Sequence, residues 1–417
     1  MIFRILFSTI VLASTTFFAQ TGTVSPYSFI GLGESSFKGN SINRFMGGLD
    51  VFTDSIHANL NNPSGYAKLK ATVYSLGVNY NEINLKNSSS KENSKSSSLD
   101  YFAIAIPANK FGFGFGIIPS SSVGYKLQSQ EGIESDVLKR FNGKGGVNKA
   151  FLSIGFNLMP FLSVGGTLNY NFGKIELETY ENSKGIDYGT YLESISYFSG
   201  FDYQIAANLT FTVNKKYELQ SYFSISPKTK LTSKNQRVLF TRSNSTQSIG
   251  DFKEIDLNSY NLAKTKVSTY SKFDMGLGFG EKFKWYLGSQ FTSVNAESYK
   301  NDFINYDNLI YTKGYKMSMG GFYIPNFISI SDYWKRVAYR GGIRIEKPGI
   351  LIENKHFIEN AASFGVSLPV AGLSNADIGF EIGNRKIKDT DAFKETFWSI
   401  RLGFSLIDIW FVKRKYN

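Results

Sequence analysis

The chain has 417 residues, among them 37 phenylalanines, 25 tyrosines and no cysteine. The missing thiols exclude disulfides, thiolate catalysis and cysteine-ligated zinc. Net charge is +12, but the basic residues are dispersed, so the expected counterparts are anionic lipid headgroups and an anionic solute, not nucleic acid.

Residues 1–19 read as a secretory signal peptide, with Arg4 as the positive region, a short apolar core and Ala19 as the cleavage residue. Beyond them no run approaches the roughly 18 apolar residues that a transmembrane helix needs. If the chain spans a membrane, it does so as strands.

Residues 20–70 carry little period-2 alternation. They are rich in Gly, Asn and Ser, contain Pro26 and Pro63, and allow a short helix around Ser41 to Phe45. Apolar residues such as Phe29, Phe45, Met46 and Leu49 favour an ordered plug over a disordered tail. A wide barrel lumen would need such a filling.

From residue 71 the pattern changes. Period-2 runs give roughly 14 strands, each long enough to cross a bilayer when tilted. The connections alternate in length: 107–110, 159–160, 214–216 and 280–282 are tight, whereas 84–97, 129–148, 179–194 and 228–266 are long and polar. Segregation of loops by parity is expected of an outer-membrane β-barrel, with both ends of the barrel on the periplasmic side. The expected organisation is a barrel over 71–406 and a C-terminal periplasmic tail over 407–417.

The faces follow from alternation. On the last strand Trp398, Ile400, Leu402, Phe404 and Leu406 are expected to meet lipid, and Ser399, Arg401, Gly403 and Ser405 to meet water. Leu162, Val164, Leu168 and Tyr170 oppose Ser163, Thr167 and Asn169 in the same way. The run 99–106 is apolar on both faces, as expected where a lumenal element packs on the wall. Along 111–118 Phe alternates with Gly, so the Phe face meets lipid or plug. The stretch 87–98 (NSSSKENSKSSS) reads as a solvated extracellular loop, and 228–266, with Val238, Phe240, Phe252 and Tyr260, as an ordered one.

Chemistry is sparse. His57 and His356 are far apart and lack metal-ligand spacing. No G-x-S-x-G and no P-loop lysine motif occurs. No cofactor and no enzymatic activity are expected. The lumenal charges are more informative. Alternation places Arg340, Arg344, Arg401, Glu381 and Arg385 inward on neighbouring strands. They form either a site for a carboxylate headgroup or a structural ladder that pins the plug.

The segments Pro26-Tyr27-Ser28-Phe29-Ile30-Gly31-Leu32-Gly33-Glu34, Asn43-Arg44-Phe45-Met46-Gly47-Gly48-Leu49 and Ala58-Asn59-Leu60-Asn61-Asn62-Pro63-Ser64-Gly65 resemble the N-terminal hatch of the FadL/TodX (OMPP1) outer-membrane transport family. The tail over 407–417 resembles those of relatives in one group of Gram-negative bacteria. Ser64 departs from the usual Ala of the hatch motif. The resemblance implies a fourteen-stranded barrel that passes small hydrophobic or amphipathic molecules, often sideways through a gap in the wall after the hatch shifts. It makes Gly47, Gly48, Asn61, Asn62 and Pro63 candidates for hatch gating. Because barrels of this type also serve larger outer-membrane machines for secretion or membrane-protein insertion, two classes stay open. One is a transporter of a small hydrophobic ligand. The other is a structural subunit with protein partners, set in outer-membrane lipid and lipopolysaccharide.

Overall fold

A computed structural model describes residues 22–35, 37, 39–86, 91–130, 137–306, 308–370, 372, 374–388 and 394–408. The expected signal peptide and most of the expected tail lie outside the described residues.

Fourteen antiparallel strands form the wall. In chain order they are β1 (Thr72–Lys86), β2 (Lys91–Ala108), β3 (Phe111–Gln130), β4 (Val137–Met159), β5 (Leu162–Ser183), β6 (Tyr188–Val213), β7 (Tyr217–Ser226), β8 (Ser271–Glu281), β9 (Trp285–Asn295), β10 (Lys313–Tyr323), β11 (Ala338–Lys347), β12 (Lys355–Pro369), β13 (Asn375–Ile387) and β14 (Lys394–Asp408). Each pairs with the next, and β1 pairs with β14 from Thr72–Asp408 to Lys86–Lys394, which closes the barrel. The pairing carries β14 past the expected boundary at 406, since Ile407 is buried opposite Val73.

Alternation assigns the faces as read from the sequence. Ile400, Leu402, Phe404 and Leu406 point out, while Ser399, Arg401 and Ser405 are buried inside. Phe111, Phe113 and Phe115 are exposed on the lipid side, and Gly112 and Gly114 face inward. One expectation needs correction: the inward set of β14, Ser399, Arg401, Gly403 and Ser405, is buried and does not meet water. Ser399 shows why. It is fully buried beside its register partner Glu381, because the plug occupies the lumen at that level.

The polar connections at the long-loop end are largely strand. Residues 91–98 pair with 79–86, β4 pairs with β5 out to Ser183, and β6 continues beyond β7 to pair with a strand at Lys230–Ser243. Short strands at Ile249–Glu254 and Lys264–Ser268 extend that hairpin. Polar residues on both faces conceal such strands from a hydrophobic pattern, yet their backbone groups still find partners across the hairpin. The short-turn end also holds an exception, since β10 and β11 are joined by the long connection 324–337.

The N-terminal segment lies inside the barrel. It contains 3-10 turns at Pro26–Phe29 and Pro63–Lys68 and one helical turn, α1 (Ser41–Phe45), capped by the Asn40 side chain, which accepts from the Asn43 N–H. Its apolar residues fill slots in the wall. The Phe45 ring sits against Gly365 and Gly379, where an added Cβ would come within 2.1 and 2.0 Å of it. Tyr66 fills the space over Gly112 and Gly114 and joins a buried cluster with Leu69, Ala103 and Ala105. The both-face apolarity of 99–106 thus has its cause.

Candidate functional site

The registers of β8 to β14 set seven inward residues side by side in one row: Asp274, Thr292, Lys316, Glu346, Glu359, Arg385 and Glu395. The row sets Lys316 beside Glu346 and Arg385 between Glu359 and Glu395, opposite charges that attract when desolvated, and it also sets Glu346 beside Glu359, two like charges. Arg385 sits between two carboxylates of that row, donating to Glu359 at 2.8 Å and to Glu395 at 2.5 Å. It also pairs with Glu34 of the plug. Ser25 of the plug donates to the other oxygen of Glu395 at 2.5 Å.

A second set lies closer to the short-turn end. Arg344 donates to Glu359 at 2.6 Å and to Glu381 at 3.2 Å. Glu381 also accepts two bonds from Arg44 of α1, at 2.5 and 2.9 Å. Arg401 lies 4.0 Å from Glu381 and donates to Asp100 at 2.7 Å. Asp100, Arg401, Glu381, Arg344, Glu359, Arg385 and Glu395 therefore form one continuous buried chain of charge, joined to the plug at Arg44, Glu34 and Ser25. Arg340 stands apart, bonded to Ser367, which in turn donates to Asp377.

Four of the five lumenal candidates thus meet in one network, and Arg340 does not. Arg44, Glu359, Glu395, Asp100 and Glu34 complete it. Alternation could have found Glu395, which shares the inward parity of Arg401 on β14, and Glu359, which alternates with Ile358 and Asn360 on β12. Nothing periodic marks Arg44 and Glu34, because the plug has no repeat.

The hatch candidates occupy tight positions. Gly47 and Gly48 have φ of +73° and +79°. A Cβ on Gly47 would lie 2.6 Å from the Ile343 carbonyl, so only glycine fits there. The Gly47 N–H donates to Ser363 Oγ at 3.2 Å. Asn61 and Asn62 fold round Asp50. Asn61 Nδ2 donates to the carboxylate at 2.9 Å, and Asn62 Nδ2 to the backbone oxygen at 3.0 Å. Pro63 opens the 3-10 turn that lies on Gly155 and Gly165 of the wall.

At the foot of the plug Lys68 donates to Thr53, Asn208 and Thr210, with no carboxylate among these partners. Burial pulls its pKa down to about 8. His57 bonds Asp54 at 2.6 Å. Burial by itself would raise the Asp54 carboxyl, yet His57 and backbone N–H donors hold it below its ordinary value.

Two cavities flank the plug. One, of about 370 Å³, lies on the long-loop side. Its lining includes Lys149, Lys272, Lys316, Asp50, Asp202 and Asp274. The other, of about 700 Å³, opens among the short turns beside Lys68 and His57. Near the first the wall has a seam. β2 and β3 pair only from Phe102–Ile117 to Ala108–Phe111, and above that level Glu34–Ser35 of the plug pairs with Ser122 and Ser121 of β3 instead. Among the described residues, no cluster of His, Cys, Asp and Glu is arranged to hold a metal ion.

The family model described as BamG matches residues 1–417. None of the curated proteins compared matches the sequence. Among solved structures the chain resembles the toluene transporter TbuX of Ralstonia pickettii, with a TM-score of 0.59 and 12% identity over 88% of this chain and 97% of that one. It also resembles the toluene transporter TodX of Pseudomonas putida (TM-score 0.57, 12% identity, 89% and 98% covered). A FadL homologue of Pseudomonas aeruginosa gives a TM-score of 0.55 at 12% identity, with 90% and 100% covered. At this identity the likeness establishes a FadL-type outer-membrane barrel fold, as the hatch motifs implied.

Proposed function

The chain belongs to the BamG family, and from that premise we propose that it is a plugged, non-catalytic barrel that serves as a structural subunit of a larger outer-membrane protein assembly. The observation that supports this reading is the engagement of the lumenal arginines. Arg344, Arg385 and Arg401 are each ion-paired to wall or plug carboxylates, so none of these three is left for the headgroup of a passing amphiphile. On this reading the outer wall contacts outer-membrane lipid and lipopolysaccharide, and loops at both ends are free to meet protein partners.

The seam between β2 and β3 favours a second reading, hatch-gated passage of a small hydrophobic or amphipathic molecule. A cavity beside an unzipped stretch of wall, closed by a two-residue strand of the plug, provides a sideways exit. One experiment separates the two. The native mass of the protein is measured after mild detergent extraction, and uptake of toluene and of long-chain amphiphiles is measured in cells with and without it. A stable higher-mass species with unchanged uptake supports the subunit. A single-chain mass with uptake lost in the deletion supports the conduit.

A further inference from the structure

The connection 324–337 is unlike its neighbours. In outer-membrane barrels the short-turn end is periplasmic, and the neighbouring turn at 282–284, like the next one at 214–216, is tight. The loop holds large apolar side chains in the open: Ile330 is 98% exposed, Ile328 81% and Trp334 63%. These are not the ends of a floppy segment. The Ile324 N–H donates to the Lys284 carbonyl at 2.7 Å, and the Asn326 N–H to the Lys335 carbonyl at 2.8 Å. Tyr333 Oη donates to the Pro369 carbonyl at 3.0 Å, and Phe327 stacks on Phe283 at 4.8 Å. The loop is thus tied to the turns on both sides while its tip stays bare.

The surround is basic. Along 214–216, 281–285 and 324–337 the charged residues are Lys215, Lys216, Lys282, Lys284, Lys335 and Arg336 against Glu281 and Asp332. Lys216 and Lys284 share the single carboxylate of Glu281, at 3.5 and 3.7 Å. Outward residues Trp285, Tyr323 and Tyr339 stand in one register row at the foot of the wall. Aromatic rows of this kind mark the membrane boundary, and the loop lies beyond it in sequence.

We infer that 324–337 is a docking knob for a periplasmic protein whose surface offers an apolar pocket rimmed by acidic residues. This rests on the subunit reading and names the surface that serves it. An apolar tip containing Trp and flanked by Tyr and Arg has the composition of interface hot spots. A loop already ordered in the free protein loses little freedom on docking. The net positive collar steers an acidic partner and disfavours a basic one.

The test uses the full chain in its own membrane. Ile328→Asp with Ile330→Asp is compared with wild type for native mass after mild extraction, and heat-modifiable migration checks that the variant barrel has folded. A second variant, Lys282→Glu with Lys284→Glu, reverses the collar and leaves the tip intact. In parallel a photo-crosslinking residue is placed at 330. The expected results are a fall of about tenfold or more in the higher-mass species for the tip variant, a smaller and salt-dependent fall for the collar variant, and a protein adduct of discrete mass at 330. An intact higher-mass species in the tip variant, or an adduct with lipid alone, overturns the knob and leaves the subunit reading standing. A single-chain mass for the wild type overturns both.

Discussion

Arg44 of the plug grips Glu381 of the wall through two hydrogen bonds, of 2.5 and 2.9 Å, with both side chains buried. The guanidinium fork matches the two carboxylate oxygens, and the same carboxylate also accepts from Arg344. The plug therefore contributes a cation to a wall that already supplies two, and Glu381 holds all three together. Arg44→Ala should loosen α1 by about 3 kcal/mol, as expected when one partner of a buried pair is removed. Planar-bilayer conductance should rise, though less than on deletion of 22–70. An unchanged closed pore would mean that apolar packing alone seats the plug.

The Phe45 slot makes a steric prediction. Gly365 and Gly379 leave room for the ring and for nothing else. Gly379→Val should unseat α1 and raise conductance. Phe45→Ala should weaken the plug by about 3–5 kcal/mol through the cavity it leaves. Combining the two should cost less than their sum, because the valine fills part of the vacated slot. Strict additivity in conductance or in plug proteolysis would argue against the direct contact.

Leu402 and Ser399 test the two faces of β14. Leu402 points to lipid, and Leu402→Arg should lower barrel stability by about 2–4 kcal/mol if it lies near the bilayer midplane. Ser399→Arg should act differently. It overpacks a buried site, at a cost of about 1–3 kcal/mol, and sets a further cation beside Glu381, so it should free the plug and leave the barrel inserted. Urea unfolding in lipid reports the first effect and channel conductance the second. A swap of the two outcomes would show that the register is off by one.

Lys68 predicts a pH dependence. Its folded pKa is near 8 against an ordinary 10.5. Between those values the unfolded chain holds a proton that the folded chain has released, so this group's contribution to stability rises as pH rises from about 8 to about 10.5. Below pH 8 both states are protonated and the contribution is flat. Melting of the wild type minus that of Lys68→Met, followed from pH 7 to 10.5, should show this rise. A flat or falling difference would rule it out.

The face that each wall residue takes follows from period-2 alternation alone, which is a local property of a pleated chain. That is why the sequence alone places Arg344, Glu381, Arg385 and Arg401 inward. The extended hairpins escaped because strands solvated on both sides have no hydrophobic period. The exposed knob at 324–337 escaped because exposure is a relation to neighbours and leaves no mark in composition.

By itself the sequence determined a membrane-spanning barrel of about fourteen strands with an N-terminal plug, since alternation, loop parity and apolar content are all written along the chain. Only the tertiary structure decided which charges meet. Cross-strand register sets Glu359 beside Arg385 and Glu381 near Arg344, and chain closure carries Asp100 of β2 to Arg401 of β14. Partners such as Arg44 and Glu381 lie hundreds of residues apart and are joined only when fourteen strands close round the plug. No local pattern encodes that distance, so only the closed barrel brings each of these arginines to its carboxylate.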